Sequence, residues 1–224
     1  IAQKKSATSS VQTKGGVQLS TFEFSADDYD ENRHFFLAQY FRDHYDENMA
    51  QLPNILSGIT INRAEVWVTN KTGQTTNTRN IIALTDLGEA SKIHNPLWTP
   101  GSTTVPANAA NTLYNIVSGI NGVRNISTAT SALDGFGLTG GVDYEKLESA
   151  RLLSPSEYKV NAALGYISLR SALQPDQVLA VAFEYTYRGT NYQVGEFSTD
   201  RKDNTETLLL KSLKNTANSP SQGN

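Results

Sequence analysis

Cysteine is absent from the 224 residues, which removes disulfides and thiolate metal sites from consideration. Histidine occurs only three times, leaving little material for imidazole metal clusters or nucleophilic triads. Net charge is −3, without the basic footprint that nucleic-acid binding requires. No apolar run approaches the roughly 20 residues of a membrane-spanning helix. Residues 1–16 have no apolar segment of the signal-peptide kind and no initiator Met. The chain therefore reads as a piece of something longer, with no cofactor implied by its composition.

What is present is Gly, Ser, Thr and Asn in a chain whose apolar fraction is 38%. That composition suits a loop-rich α+β protein. The expected organisation is a flexible tail over 1–16, one domain over 17–213 and a linker-like tail over 214–224. Val17–Phe24 alternates as a strand. Ser25 followed by Asp28 forms a capping box, and the acids through Glu31 favour a helix start. Phe36, Leu37, Tyr40, Phe41, His44, Tyr45, Met49 and Leu52 then recur as a helical stripe, which Pro53 ends.

Ile59–Thr69 reads as a strand, with Ala64, Val66 and Val68 on one face and Glu65 and Trp67 on the other. Ile81–Leu87 is its expected return, followed by an irregular stretch over 88–105. A second amphipathic helix is expected after Pro106, carrying Ala109, Leu113, Ile116, Val117 and Ile120. Residues 121–142, rich in Gly, Ser and Thr, read as a surface loop; 143–153 fits helix or strand.

Two consecutive hairpins follow. Glu157–Val160 pairs Tyr166–Leu169, and Val178–Tyr187 pairs Tyr192–Phe197 around a type II′ turn at Gly189-Thr190. That register sets Tyr187 opposite Tyr192 and Tyr185 opposite Val194. One face carries Leu179, Val181, Phe183, Tyr185, Tyr187, Tyr192 and Val194; the other, Ala180, Ala182, Glu184, Thr186 and Gln193. Thr207–Leu213 is the last expected strand. The fold class is α+β: mainly antiparallel sheet, with consecutive hairpins packed by two amphipathic helices.

Candidate chemistry is thin. Glu184 and Glu196 fall on opposite faces and cannot flank one glycosidic bond. Asp28, Asp30 and Asn32 begin a calcium-loop pattern, but Arg33 replaces its glycine and Gln39 its final glutamate. His34 and His44 lie about 280° apart around a helix, and His94 has no nucleophile at motif spacing. Gly135-Phe136-Gly137 has no leading strand for a phosphate loop. Trp98, in a Pro/Gly loop, and Phe136 are the candidate partner contacts, since exposed aromatics anchor interfaces. No catalytic, metal or cofactor-binding residue emerges. A hydrolase would need two of Glu157, Glu184, Glu196 and Asp200 brought into one pocket.

Two blocks carry a resemblance. They are FFLAQYFRDHYDENMAQLPNILSGITINRAEVWVTN, from Phe35 to Asn70, and LLSPSEYKVNAALGYISLRSALQPDQVLAVAFEYTYRGTNYQVGEFST, from Leu152 to Thr199. Together they resemble the SprA/Sov family of Bacteroidetes, giant outer-membrane proteins of the type IX secretion system that gliding motility also requires. The resemblance implies a non-enzymatic structural or gating domain of an outer-membrane translocon, on the periplasmic or extracellular side of a Gram-negative cell. Its implied partners are the translocon's own barrel, a shuttle barrel, a plug protein or exported cargo, with no nucleic acid and no membrane-spanning segment in this chain. The competing expectation is a cell-surface adhesion or glycan-binding module with Trp98 and Phe136 as its platform.

Overall fold

A computed structural model describes residues 30–201 and 203–217. Its elements in chain order are β1 (His34–Phe36), α1 (Gln39–Asp43), α2 (Tyr45–Met49), β2 (Ile59–Val68), β3 (Thr78–Leu84), α3 (Leu113–Gly119), α4 (Ile126–Phe136) and β4 (Tyr144–Leu152). There follow β5 (Tyr158–Asn161), β6 (Tyr166–Leu169), β7 (Leu179–Tyr187), β8 (Thr190–Val194) and β9 (Leu208–Lys214). Strands β2, β4, β3, β9 and β7 hydrogen-bond in that order, and β2 pairs with β7 to close them into a five-stranded barrel. β8 extends from β7 as a hairpin arm, and a separate sheet runs in the order β1-β6-β5. The β3–β9 pair is parallel; the other pairs are antiparallel.

The β-branched run of β2 pairs with β7 from Ile59 opposite Tyr187 to Val68 opposite Leu179, with one irregularity between Ile61 and Arg63. Side chains alternate across these strands. Val66 and Val68 of β2, Ile82 and Leu84 of β3, Leu209 of β9, and Val181, Phe183 and Tyr185 of β7 join the larger core with Phe41, Leu113, Val117 and Leu133 from the helices. The opposite face buries Trp67, Ile81, Ala83, Ala180, Ala182, Leu208 and Leu210 with Phe197. Burying each large apolar side chain stabilises by about 1.5–3 kcal/mol. The fold is thus mainly β with antiparallel pairing, as expected, and both hairpins form.

The two-helix packing is replaced by other elements. The stripe expected as one long helix divides into β1, α1 and α2. Ala38 is extended, at φ −155° and ψ 158°, and His44, at φ −98° and ψ 6°, separates the two short helices. Phe35 lies opposite Ile167 in the small sheet, so this apolar run serves strand pairing before it serves a helix. The helix expected after Pro106 is shortened to α3, because residues 99–112 form a loop pinned by a bridge between Pro100 and Asn111.

The expected loop over 121–142 contains the longest helix, α4. The Asn125 side chain accepts the Ser127 N–H at 2.9 Å, capping the first turn, and Gly137 ends the helix at φ +98°. Ala129 and Leu133, spaced four apart, bury its inner face. β3 does not return along β2; it lies between β4 and β9.

The second hairpin is offset by two residues from the expected register. Tyr185 faces Tyr192, and Tyr187 faces Thr190. Arg188 and Gly189 form the turn at φ +49° and +79°, two left-handed residues as in a type I′ turn rather than II′. A two-residue slip preserves side-chain faces, so the aromatic face is the expected one. The expected tail over 1–16, the strand at Val17–Phe24 and the capping box at Ser25 lie outside the described residues.

Candidate functional site

A cleft of about 560 Å³ separates β1 and α1 from the ends of β3 and β9. Its apolar lining includes Phe35, Phe36, Ile93 and Leu213, and its charged lining holds four Lys/Arg side chains against two Asp/Glu. Both acids are committed within the fold. Asp86 accepts the backbone N–H groups of His94 and Asn95, at 2.9 and 2.8 Å. Glu89 pairs with Lys211 at 2.6 Å, with both side chains about one-twentieth exposed, and also accepts the Gln39 N–H at 3.1 Å.

Lys211 donates to the Leu87 carbonyl at 3.0 Å as well. A buried ammonium needs this full set of partners, since an unpaired one is strongly destabilising. Asn111 secures the same loop by donating to the carbonyls of Asp86 and Glu89, each at 2.8 Å. One group at the cleft lacks a partner among the described residues: the buried Oε1 of Gln39.

A second polar centre surrounds Glu196. Its carboxylate accepts from Tyr114 Oη at 2.9 Å, both terminal nitrogens of Arg124 at 2.6 and 2.7 Å, Arg201 at 2.9 Å and the Leu209 N–H at 2.9 Å. Burial opposes its charge, but the Arg124 and Leu209 hydrogen bonds prevail and hold the carboxyl below the usual glutamate range. The Tyr114 phenol is raised by burial and by the neighbouring carboxylate. Chemically this is a tie: it joins the end of the β8 arm to β9, α3 and the segment before α4, and every oxygen is spoken for.

The sequence candidates disperse. Trp98 is only 4% exposed, which corrects its reading as an exposed anchor. It stacks on Phe136 with ring centroids 6.3 Å apart and planes at 3°. Phe136 is 43% exposed, so the two meet as one buried and one surface ring.

Glu184 lies opposite Gln193, whereas Glu196 lies past the end of β8 in its own centre; Glu157 binds Arg151 and Ser154. Asp200 accepts from Gln193 and the Phe197 N–H, a local turn. Asp30 contacts Arg33 and His34, and Asp28 lies outside the described residues. His44 Nδ1 bonds the Tyr40 carbonyl at 2.8 Å. Among the described residues no group of three His, Cys, Asp or Glu could hold a metal, and no helix is long and apolar enough to cross a membrane.

The Lys211–Glu89 pair has one signal in the sequence: a lysine in the run LLLKSL, on the strand face of Leu209 and Leu213. Glu89, in an irregular stretch, has none.

A family of proteins described as motility related/secretion protein matches residues 1–174 of the chain. No curated protein matches it.

Proposed function

We propose, from the premise that this chain belongs to the SprA N-terminal family of motility-related and secretion proteins, that it is a non-enzymatic structural or gating domain of an outer-membrane protein translocon. The observation that carries the non-enzymatic reading is the use made of the buried charges. Lys211, Glu89, Asp86 and Glu196 are each consumed by backbone groups or by other side chains of the fold. A general acid or base needs a polar atom left over for the substrate. Protein partners within the translocon and a position at the cell envelope follow from the family and belong to this proposal.

The glycan-platform reading is weakened, because Trp98 is buried and only Phe136 of that pair reaches the surface. The test is made in the intact parent protein, in the organism that carries it. Excising residues 30–217 in frame is expected to stop export and gliding, whereas E157Q, E184Q and D200N each leave both intact. A single such carboxylate variant, folded and at normal level yet without export, would favour an enzyme instead.

A further inference from the structure

The cleft is bounded by two strand edges. In the small sheet, Leu169 donates to the Arg33 carbonyl and Leu37 donates to the Gly165 carbonyl, each across to β6. Antiparallel pairing alternates such positions, so the backbone groups of His34 and Phe36 point away from β6. Among the described residues β1 has no other strand partner. On the far wall, the parallel β3–β9 ladder ends at Leu84 opposite Lys211. Ser212, Leu213 and Lys214 continue past it, bordered by β7 on one side and, among the described residues, by no strand on the β3 side. His34, Phe36, Ser212, Leu213 and Lys214 all line the cleft. Unpaired strand edges accept an added strand.

We propose that this cleft receives an extended peptide from a protein partner, with acidic and apolar residues in alternation, added as a strand along β1. Charge selects the occupant. Among the lining charges Lys211 is spent on Glu89, Lys214 on the carbonyls of Pro175 and Gln177, and both acids are bound, so Arg42 and Lys92 are the charges turned towards the occupant, in a chain whose overall charge is negative. Arg42 lies at the mouth, and its one ion pair among the described residues is a loose contact from Nε to Asp43 at 3.8 Å. Lys92 lies beside it, sharing Asp43.

The apolar half of the occupant meets Phe36, Ile93 and Leu213. The proposal goes beyond the secretion reading and stands on edge geometry and charge alone, so either can fail without the other.

The probe is a capped, fluorescein-labelled peptide of alternating valine and glutamate, about seven residues long, titrated into the full chain by anisotropy. Saturable binding is expected, weakened about tenfold in H34P, which removes one outward N–H and leaves the β6 pairing intact. H34A keeps that N–H and is expected to bind within about twofold of the parent. R42E/K92E, which changes two solvent-exposed side chains, is expected to weaken binding at least about tenfold.

Equal binding of a lysine-for-glutamate peptide, or equal binding by H34P, overturns the proposal. So does the absence of saturation. Binding that appears only once residues 1–29 are deleted also overturns it, by making the chain's own N-terminal segment the occupant.

Discussion

Replacing Glu196 by Gln is the sharpest test of how this fold is held. The side chain is 3% exposed and accepts five hydrogen bonds, two of them from one guanidinium. Gln retains one acceptor oxygen and sets an amide N–H₂ against donors. If the amide replaces Oε2, the Leu209 N–H and one Arg124 nitrogen lose their acceptor; if it replaces Oε1, Tyr114, Arg201 and the other Arg124 nitrogen do. A buried donor left unpaired costs about 1–3 kcal/mol, and breaking a buried charged pair about 3–5 kcal/mol. Arg201, one-third exposed, is discounted for solvent screening.

The expected loss is therefore about 3–5 kcal/mol at neutral pH, read from urea denaturation of the full chain. That is a large share of the roughly 5–15 kcal/mol that stabilises a domain. The pH dependence has a definite sign. The Arg124 and Leu209 hydrogen bonds hold the folded carboxyl below the ordinary glutamate range, so its stabilisation is complete above that range and is lost as pH falls through the lower folded value. The gap between parent and E196Q thus narrows in acid. A loss below about 1 kcal/mol at neutral pH, or a gap that does not change in acid, would refute the argument.

Three further outcomes follow from the same geometry. K211M strands the Glu89 carboxylate and is expected to cost about 3–5 kcal/mol, with K211M/E89Q recovering part of it; equal costs for single and double variants in a urea series would exclude coupling. G165A places a Cβ 2.5 Å from the Phe41 ring at a φ of +68°, and is expected to cost roughly 2–4 kcal/mol; calorimetry showing an unchanged Tm would contradict the close approach. W98A is expected to cost about 3–5 kcal/mol and F136S well under half of that, since only the first ring is buried. Similar losses for the two in denaturant would reverse the assignment.

The strands were legible where alternation was strong. β2 and β7 each carry a β-branched or aromatic face over about nine residues, and side-chain period shows which residues share a face; that both faces are buried, in two separate cores, follows only from barrel closure. The hairpin register was not legible, because a slip of two residues leaves every face unchanged and only the turn distinguishes the alternatives. Gly189 alone suggests a type II′ turn, whereas Arg188 joins it in left-handed geometry.

Over the described residues 30–52 one long helix does not form, because apolar spacing of three and four also fits a short strand followed by two single turns, once a second sheet supplies the pairing. α4 was hidden by its Ser, Thr and Gly content, although the Asn125 cap and the Gly137 stop were present in the sequence. The cleft was not legible at all: its two walls come from β1 and β9, whose meeting depends on barrel closure.

That closure bears on how the chain is made. β3 leaves the ribosome well before its parallel partner β9, with Ile81 waiting for Leu208. β2 likewise waits for β7. Throughout that interval a hydrophobic ladder is presented with its neighbours missing. Topologies dominated by such distant pairings fold slowly and expose sticky edges while they do so. The nascent domain therefore has a window of vulnerability set by translation speed, and a holding chaperone acting on its first half would have most effect before residue 208 emerges.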